Sequence, residues 1–404
     1  MNYVVLFQGQ GKYKTSYVKE MCAKYSEAKE IWEHAAEILQ FDILKLLEET
    51  EDAGTLPTVW AQPIIFMMEY SAWYVFHKRI DSKPMYMAGH SLGEYVALTA
   101  AGMLSFEDAL MLVRTRGEFM DQNVDGHEYG MLALLGCSVA KAEELCIEAW
   151  NKTNCKVYCA NFNSDSQIIV SGEKKGIEYL ADYADIVTKR LALKKAFHTP
   201  FMKNAAEQFK RVLSTVKFSK GDIEVISNVT AMPYQAEWTI PELLYRQIFT
   251  PVHWNDIMLY LRQKGVMVYL QATKNKLFRN MSLECNEYAQ WGSLEDLSQN
   301  KIVDYDTGYR KEKLSSQDTN EFCGAILKRM ITFPWRKSSE EKVRSAQEEC
   351  RKMEELSKHS SFTQKDAEIC AYALREVFCL KGYSTEFAEQ EITEIFRNYG
   401  INSM

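Results

Sequence analysis

The sequence predicts an α/β fold with a parallel sheet, to which an inserted smaller subdomain and a helical C-terminal extension are added. Three observations lead to this prediction. Short apolar strands alternate with helices near the N-terminus, a Gly-His-Ser-Leu-Gly turn joins one such strand to a helix, and the order changes to β-α-β-β-α-β from about Gly126 to Leu193.

The elements of the large domain follow from apolar patterning. Tyr3–Phe7 and Pro84–Ala88 are short apolar runs and are predicted as buried strands. Helices are predicted at Ser16–Tyr25, Ser26–Leu39, Trp60–Lys78, Glu94–Ala101 and Phe106–Gln122. Because strands separated by helices commonly pair in parallel, this order favours a parallel sheet covered by helices.

The second segment is predicted as a ferredoxin-like subdomain. Its elements are, in order, the strand Met131–Cys137, the helix Ala140–Trp150, the strands Lys156–Asn161 and Gln167–Ser171, the helix Lys174–Tyr183 and the strand Ile186–Leu193. Strand patterning resumes at Ile223–Asn228 and Val266–Leu270. The subdomain, residues 126–194, is therefore predicted as an insertion in a large domain of residues 1–125 and 195–297, and the cleft between them as a binding site.

The last quarter of the chain differs in composition. Residues 298–337 are rich in charged and polar side chains and are predicted as a linker, with a short amphipathic helix at Glu321–Met330. Residues 338–404 are predicted as a helical extension, because apolar side chains recur at helical spacing. Its helices are expected at Ser339–Ser357, Thr363–Leu380 and Ser384–Tyr399.

Composition narrows the class of protein. The 404 residues carry a net charge of -7, which does not indicate nucleic-acid binding. The N-terminal apolar run has no basic lead or cleavage site, and no stretch is apolar enough to cross a bilayer, so a cytoplasmic protein without a membrane partner is expected. The ten cysteines lack zinc or redox spacing, so reduced thiols and no metal site are predicted.

Ser91 is the candidate nucleophile. It lies in Gly89-His90-Ser91-Leu92-Gly93-Glu94, directly after an apolar strand and before a helix. Such a turn strains the serine backbone and brings neighbouring chain close, so it needs glycine on both sides of the serine. The N–H groups at the start of the helix favour negative charge on an acyl oxygen. This strand-turn-helix predicts an α/β-hydrolase-like large domain.

A serine nucleophile needs a base, and His198 is the candidate among seven histidines. It follows a strand and lies in Ala196-Phe197-His198-Thr199-Pro200. The alternative is a loop histidine with ordinary hydrogen bonds. His90, beside the serine, is expected to point away from it and to support the turn.

Arg116 interrupts an apolar helical stripe that is formed by Ala109, Val113 and Met120. Burying a guanidinium group is unfavourable unless an anion accompanies it. Two interpretations stay open: an internal pair with an Asp or Glu, or a bidentate clamp for a substrate carboxylate, for which arginine has the suitable geometry.

Together these segments resemble the malonyl-CoA:acyl carrier protein transacylase family, which includes the discrete, trans-acting acyltransferases of polyketide synthases. The matching segments also include Phe7-Gln8-Gly9-Gln10-Gly11, Ala160-Asn161, Ser227-Asn228-Val229-Thr230, and Gln247 followed by Pro251-Val252-His253-Trp254. They occur in the family's order. Thr332-Phe333-Pro334-Trp335-Arg336 is similar to the tail that follows synthase acyltransferase domains, which favours service to a polyketide or hybrid assembly line.

The resemblance implies a two-step acyl transfer by an [acyl-carrier-protein] S-malonyltransferase without a bound cofactor. Ser91 would take the acyl group from malonyl-CoA and pass it to the phosphopantetheine thiol of an acyl carrier protein, with His198 as base and acid. The N–H groups of Gln10 and Leu92 would form the oxyanion hole, and Arg116 would bind the malonyl carboxylate.

The resemblance also assigns supporting residues. Gln247 would orient His198 in place of an acidic residue, and His90 and Asn161 would support the site. Phe197 would fill the space of an α-methyl branch and so favour malonyl over methylmalonyl.

The sequence departs from the family pattern at three places, which indicates a divergent member. Gln8 replaces a proline, Lys12-Tyr13 replaces Ser-Gln, and Ala272-Thr273-Lys274-Asn275 replaces a Gly-Pro-Gly loop. The alternative functions are a proofreading hydrolase that clears acyl groups from stalled carrier proteins, and a non-catalytic scaffold. Residues 338–404 would be either a docking element for a carrier protein or synthase, or a cap over the main domain.

Overall fold

The computed structural model describes residues 3–11, 13–122, 127–274, 277–282, 289–299, 326–327, 330, 340–356, 364–381, 383–385, 387–389 and 391–392. Most of the predicted linker, including Thr332–Arg336, lies outside the described residues, as does the end of the helix predicted at Ser384–Tyr399.

Within the described residues, a parallel sheet of five strands forms the centre of the large domain. The strands are β1 (Tyr3–Phe7), β2 (Tyr86–Gly89), β7 (Glu224–Ile226), β8 (Val268–Gln271) and β9 (Gln290–Ser293), in the spatial order β7-β2-β1-β8-β9. Alternate residues of β1 pack into two cores, because Val5 and Phe7 face one side of the sheet and Val4 and Leu6 face the other. The predicted α/β class with a parallel sheet is confirmed.

Helices lie between and after these strands. They are α1 (Ser16–Lys24), α2 (Ser26–Leu39), α3 (Ile43–Glu48), α4 (Thr58–Phe76), α5 (Gly93–Ala100), α6 (Phe106–Asp121), α9 (Lys203–Leu213), α10 (Ile240–Gln247), α11 (Trp254–Gln263), α12 (Leu277–Ser282) and α13 (Leu294–Ser298). Helix α4 is buried on nearly all sides and packs against α6. This packing brings Gln62 of α4 next to Arg116 of α6.

A second, antiparallel sheet lies in the segment 129–190. Its elements follow in the order β3 (Tyr129–Leu135), α7 (Val139–Thr153), β4 (Val157–Ser164), β5 (Gln167–Glu173), α8 (Lys174–Tyr183) and β6 (Val187–Arg190), and the spatial order of the strands is β4-β5-β3-β6. Helices α7 and α8 bury one face of this sheet in a core of their own. The β4 strand also reaches the large domain, because Phe162 N–H donates to Val252 O at 2.9 Å and Val252 N–H to Ala160 O at 3.0 Å.

The C-terminal helices form a separate hydrophobic core. Helices α14 (Glu340–Leu356) and α15 (Gln364–Leu380) pack against each other. Their core includes Leu374 and Phe378, and it also buries Ile326 and Met330 from the segment predicted as a linker.

Several element bounds differ from the predictions for local reasons. Helix α4 begins at Thr58, two residues before the predicted start, with Pro57 as its N-cap residue. After α4 the chain tightens into a 3-10 turn at His77–Arg79. Helix α5 begins at Gly93, since Leu92 is its N-cap residue. No helix in the described ranges is long and apolar enough to span a membrane.

Candidate active site

The turn between β2 and α5 can be built only with glycine at its two ends. A Cβ on Gly89 would lie 1.9 Å from the carbonyl atoms of Gly93, and a Cβ on Gly93 would lie 2.1 Å from Phe7 O. Ser91 between them has a φ of 53°, in the left-handed region that side chains disfavour. The predicted close approach and backbone strain are therefore both present in the turn.

Asn228 fixes the strained turn from the loop after β7. The Ser91 N–H donates to Asn228 Oδ1 at 2.6 Å, and Asn228 Nδ2 donates to Gly89 O at 2.6 Å. The Asn228 N–H in turn donates to Glu94 Oε1 at 3.1 Å. Asn228 stands in a segment that carried the family resemblance, but no role was predicted for it.

His198 lies against the serine in the geometry of a general base. Ser91 Oγ and His198 Nε2 are 2.8 Å apart, and His198 Nδ1 lies 2.8 Å from the main-chain oxygen of Gln247. Because a carbonyl oxygen only accepts, Nδ1 carries the proton and Nε2 is free to accept the serine proton. Burial, and then the charge of Arg116, lower the pKa of His198 to about 3, which keeps the ring neutral.

Arg116 is buried with its guanidinium group directed at the nucleophile. Nη1 donates to Gln62 Oε1 at 2.8 Å, and Nη2 donates to Gln247 Oε1 at 3.0 Å and to Ser91 Oγ at 3.2 Å. Burial lowers its pKa. Within the described residues Arg116 makes no salt bridge, and its Nε has no hydrogen-bond partner. The internal Asp or Glu pair that the sequence left open is therefore not present there.

Gln247 joins these groups through both ends of its amide. Its Nε2 donates to Ser91 O at 2.8 Å and to Glu94 Oε2 at 2.6 Å, while its Oε1 accepts from Arg116. Burial raises the pKa of Glu94 to about 7, although hydrogen bonds from Tyr234 and Gln247 act against this rise. Glu94 and Gln62 were not predicted as site residues, because in the sequence they look like ordinary helix positions.

A cavity of about 220 Å³ opens in front of Ser91. Gln10, Leu92 and Phe197 contribute to its wall together with Ser91 and Arg116. In the described part of the chain, no hydrogen bond uses the N–H of Gln10 or of Leu92, so both amides remain available to a bound oxyanion. The predicted nucleophile, base, arginine and oxyanion residues thus line a single cavity.

Asn161 and His90 line the same cavity, from the second sheet and from the turn itself, whereas Gln247 reaches the site through its hydrogen bonds to Ser91 and Arg116. Asn161 is buried on β4, and His90 Nε2 lies 3.0 Å from Asn163 Oδ1. Burial lowers the pKa of His90 to about 4, and its ring packs against Trp254. His90 therefore supports the turn and makes no hydrogen bond to Ser91 in the described structure. A larger cavity of about 810 Å³ adjoins the site at His198.

The arrangement can form and break a serine ester. It contains a nucleophile, a neutral base, two available amides and a buried cation beside the nucleophile, which suits an acyl group that carries its own negative charge. Among the described residues, no group of three His, Cys, Asp or Glu side chains could hold a metal ion.

Comparisons with known proteins agree with this chemistry. The sequence profile of the acyl transferase domain matches residues 4–273. The chain is 34% identical over 285 residues to a malonyl CoA-acyl carrier protein transacylase of Bacillus subtilis (strain 168), which covers 70% of this chain and 89% of that protein. It is 34% identical over 269 residues to BaeC, a polyketide biosynthesis malonyl CoA-acyl carrier protein transacylase of Bacillus velezensis, with coverage of 65% and 90%.

Solved structures with a similar fold belong to the same group of proteins. FabD from Acinetobacter baumannii superimposes with a TM-score of 0.70 at 28% identity, over 75% of this chain and 98% of that chain. A malonyl-transacylase in complex with its type II polyketide synthase acyl-carrier protein gives a TM-score of 0.69 at 25% identity, over 74% and 100% of the two chains.

Proposed function

Since the chain belongs to the acyl transferase family, we propose that it moves a malonyl group from malonyl-CoA, through an ester on Ser91, to the phosphopantetheine thiol of an acyl carrier protein. Malonyl-CoA enters as a thioester and the carrier protein as a thiol, and the reaction requires no resident cofactor. The relatives that are named malonyl CoA-acyl carrier protein transacylase support the assignment.

The buried guanidinium of Arg116 is the observation that carries the proposal. It lies 3.2 Å from the nucleophilic oxygen and makes no salt bridge within the described residues. A malonyl group esterified to Ser91 has a free carboxylate a few bonds from that oxygen, and a guanidinium group binds a carboxylate through two parallel N–H groups. Glu94 acts on Arg116 electrostatically and through Gln247, so a neutral acyl group would leave the guanidinium without a carboxylate in direct contact.

The first half of the reaction loads the serine. His198 Nε2 takes the proton of Ser91 as Oγ attacks the thioester carbonyl carbon. The tetrahedral oxyanion accepts from the N–H groups of Gln10 and Leu92, and such a donor contributes about 3 kcal/mol in comparable sites. As the C–S bond breaks, the imidazolium returns the proton to the sulfur of coenzyme A, whose thiol then leaves.

The second half repeats these steps with the carrier thiol. His198 takes the proton of the phosphopantetheine thiol, whose sulfur attacks the ester carbonyl on Ser91. The same two amides stabilise the oxyanion, and the imidazolium protonates Ser91 Oγ as the C–O bond breaks. The hydrogen bond from Nδ1 to Gln247 O holds the ring in one orientation through both halves.

Phe197 supports malonyl as the preferred acyl group. Its side chain lies in the cavity wall beside His198 and is 5% exposed. An α-methyl branch on the acyl group would have to displace the ring. A single steric contact of this kind discriminates by about 1–3 kcal/mol, so the preference is graded.

We further infer service in trans to a polyketide assembly line, and a large hydrolase-like domain with a ferredoxin-like insertion. The polyketide-associated relatives support the first inference. The β4-β5-β3-β6 order of the small sheet and the serine turn after β2 support the second. The boundaries 1–125 with 195–297, 126–194, 298–337 and 338–404 remain our proposed domain limits.

Intact-protein mass spectrometry tests the function. Wild-type protein incubated with malonyl-CoA should gain one malonyl group, which should move to a carrier protein that bears phosphopantetheine. Ser91→Ala should gain none, whereas Ser214→Ala, which changes an exposed serine at the end of α9, should behave as wild type. A wild-type protein that stays unloaded, or one that releases free malonate and leaves the carrier unmodified, contradicts the proposal, and the second result identifies a hydrolase.

A further inference from the structure

Glu69 is a buried carboxylate in α4 to which the proposed reaction assigns no role. Its side chain is 1% exposed and accepts three hydrogen bonds from outside its own helix. The donors are Gln8 N–H to Oε2 at 3.1 Å, Tyr13 O–H to Oε1 at 3.0 Å and Thr273 O–H to Oε1 at 2.7 Å.

Two of these donors flank the residue that supplies one oxyanion amide. Gln10 lies between Gln8 and Tyr13, so the two oxygens of Glu69 join both ends of the segment that carries it. Gly9 in this segment has no room for a side chain, because a Cβ there would lie 2.4 Å from His90 O. The segment is thus held between Glu69 on one side and the nucleophile turn on the other.

The third donor ties in the strand next to β1. Thr273 follows β8, whose Gln271 pairs with Leu6, and the Ala272 N–H donates to Leu6 O at 3.1 Å. The chain segments that leave β1 and β8 at the same edge of the sheet therefore meet at one carboxylate. Glu69 therefore connects the residues around Gln10 to the end of β8 as well as to α4.

One face of α4 supports two parts of the site. Gln62 and Glu69 are seven residues apart, which places them on the same side of the helix. Gln62 holds the guanidinium of Arg116, and Glu69 holds the segment that contains Gln10. Both are buried, so their positions follow the packing of α4 in the core.

The carboxylate of Glu69 is held by hydrogen bonds alone. Within the described residues no cationic side chain pairs with Glu69, and burial raises the pKa of its carboxyl group to about 7. An apolar side chain would avoid that desolvation but would give up all three hydrogen bonds to the neighbouring segments. Gln8 donates through a main-chain N–H that a proline, the residue usual in the family, would lack.

We propose that Glu69 is a positioning residue that holds Gln8 and Tyr13 so that the Gln10 amide faces the oxyanion formed at Ser91. This inference rests on the proposed acyl transfer and adds a determinant of its rate. It concerns the oxyanion only, so it applies to any acyl group that Ser91 accepts.

The kinetics of Glu69→Gln test this role. The substitution would keep the volume of the side chain but would replace one of its two oxygens by an NH₂ group, which cannot accept a hydrogen bond from Gln8, Tyr13 or Thr273. Because the amide of Gln10 acts only in the transition state, kcat for malonyl transfer should fall roughly 10-fold to 100-fold, less than the loss of a whole oxyanion donor, while KM for malonyl-CoA changes less than about twofold. Release of p-nitrophenol from p-nitrophenyl acetate should fall by a similar factor.

Tyr13→Phe and Thr273→Val keep the inference testable if Glu69→Gln does not fold. Each removes one hydroxyl donor from Glu69 and should lower kcat about 3-fold to 10-fold, with the double variant lower still. The matched control is Tyr3→Phe, which removes a tyrosine hydrogen bond to Ser82 O at 2.5 Å away from the site and should leave kcat unchanged.

Unchanged kcat in Glu69→Gln, or a rise in KM without a fall in kcat, would overturn the inference. An equal loss in Tyr3→Phe and Tyr13→Phe would overturn it as well, since it would indicate general destabilisation. A wild-type protein that reacts with p-nitrophenyl acetate but never carries malonyl would contradict the proposed function alone, because the ester assay reports the oxyanion site whatever the acyl group.

Discussion

Replacing Arg116 with alanine should separate carboxylated from neutral acyl groups. A hydrogen bond to a charged partner contributes about 1.5–3 kcal/mol, so two guanidinium N–H groups on the malonyl carboxylate contribute about 3–6 kcal/mol. Since about 1.4 kcal/mol of activation free energy corresponds to a tenfold change in rate, kcat/KM for malonyl-CoA should fall roughly 10²-fold to 10⁴-fold. Acetyl-CoA has no free carboxylate, so kcat/KM for acetyl-CoA should fall much less.

The truncation also removes structural hydrogen bonds, so the assay needs an internal reference. Arg116 donates to Gln62 and Gln247, and the loss of these contacts affects both substrates alike. The measured quantity is therefore the ratio of the rates at which malonyl and acetyl groups are loaded on Ser91. These rates are measured by stopped-flow or by mass spectrometry of quenched samples. Arg114→Ala is the matched control, because Arg114 lies on the same helix and donates to Leu39 O, away from the cavity.

Two results would refute this reasoning. An unchanged ratio of malonyl to acetyl loading in Arg116→Ala would mean that the guanidinium group does not bind the acyl carboxylate. An equal change of the ratio in Arg114→Ala would mean that α6, and not Arg116 itself, determines the preference.

Three further predictions follow from the geometry. Gly93→Ala should unfold the protein or lower the free energy of unfolding, measured in urea, several-fold more than Gly130→Ala does. A Cβ on Gly93 would lie 2.1 Å from Phe7 O, whereas the nearest atom to a Cβ on Gly130 is 3.4 Å away. Equal effects of the two substitutions would contradict this prediction. The pKa of His198 is lowered from 6.5 to about 3, so between these pH values the ring binds a proton in the unfolded chain but not in the folded one. The free energy of unfolding should therefore decrease as pH falls from about 6.5 to about 3, and it should decrease less in His198→Gln. Phe197→Ala should raise methylmalonyl loading relative to malonyl by about 10-fold or more, and an unchanged ratio would exclude the steric role.

The sequence predicted the sheet and the nucleophile because both depend on local patterns. The apolar runs of β1 and β2 and the two glycines around Ser91 are contiguous in the chain. Helices α9 to α11 and the strand β9 were not predicted. The strand Gln290–Ser293 is four residues long and contains one large apolar side chain, Trp291, so its pairing with β8 is visible only in three dimensions.

The network behind the nucleophile could not be predicted from spacing. Asn228 and Ser91 are 137 residues apart, and Gln247 and Glu94 are 153 apart. Glu94 and Glu69 look like solvent-exposed helix residues in a sequence, since carboxylates are rarely buried. Only the packing of α4 and α5 against the sheet reveals that both are buried and that each accepts hydrogen bonds from distant loops.

Ser91 and His198 have positive φ angles of 53° and 58°, so the two proposed catalytic residues lower the stability of the fold. A non-glycine residue in this region costs roughly 1–2 kcal/mol, so the nucleophile and its base each weaken the folded state that they serve. Selection for heat resistance alone would favour glycine at both positions and would yield an inactive protein. Stabilising substitutions should therefore be sought elsewhere, for example in the separate C-terminal core, which contains neither Ser91 nor His198.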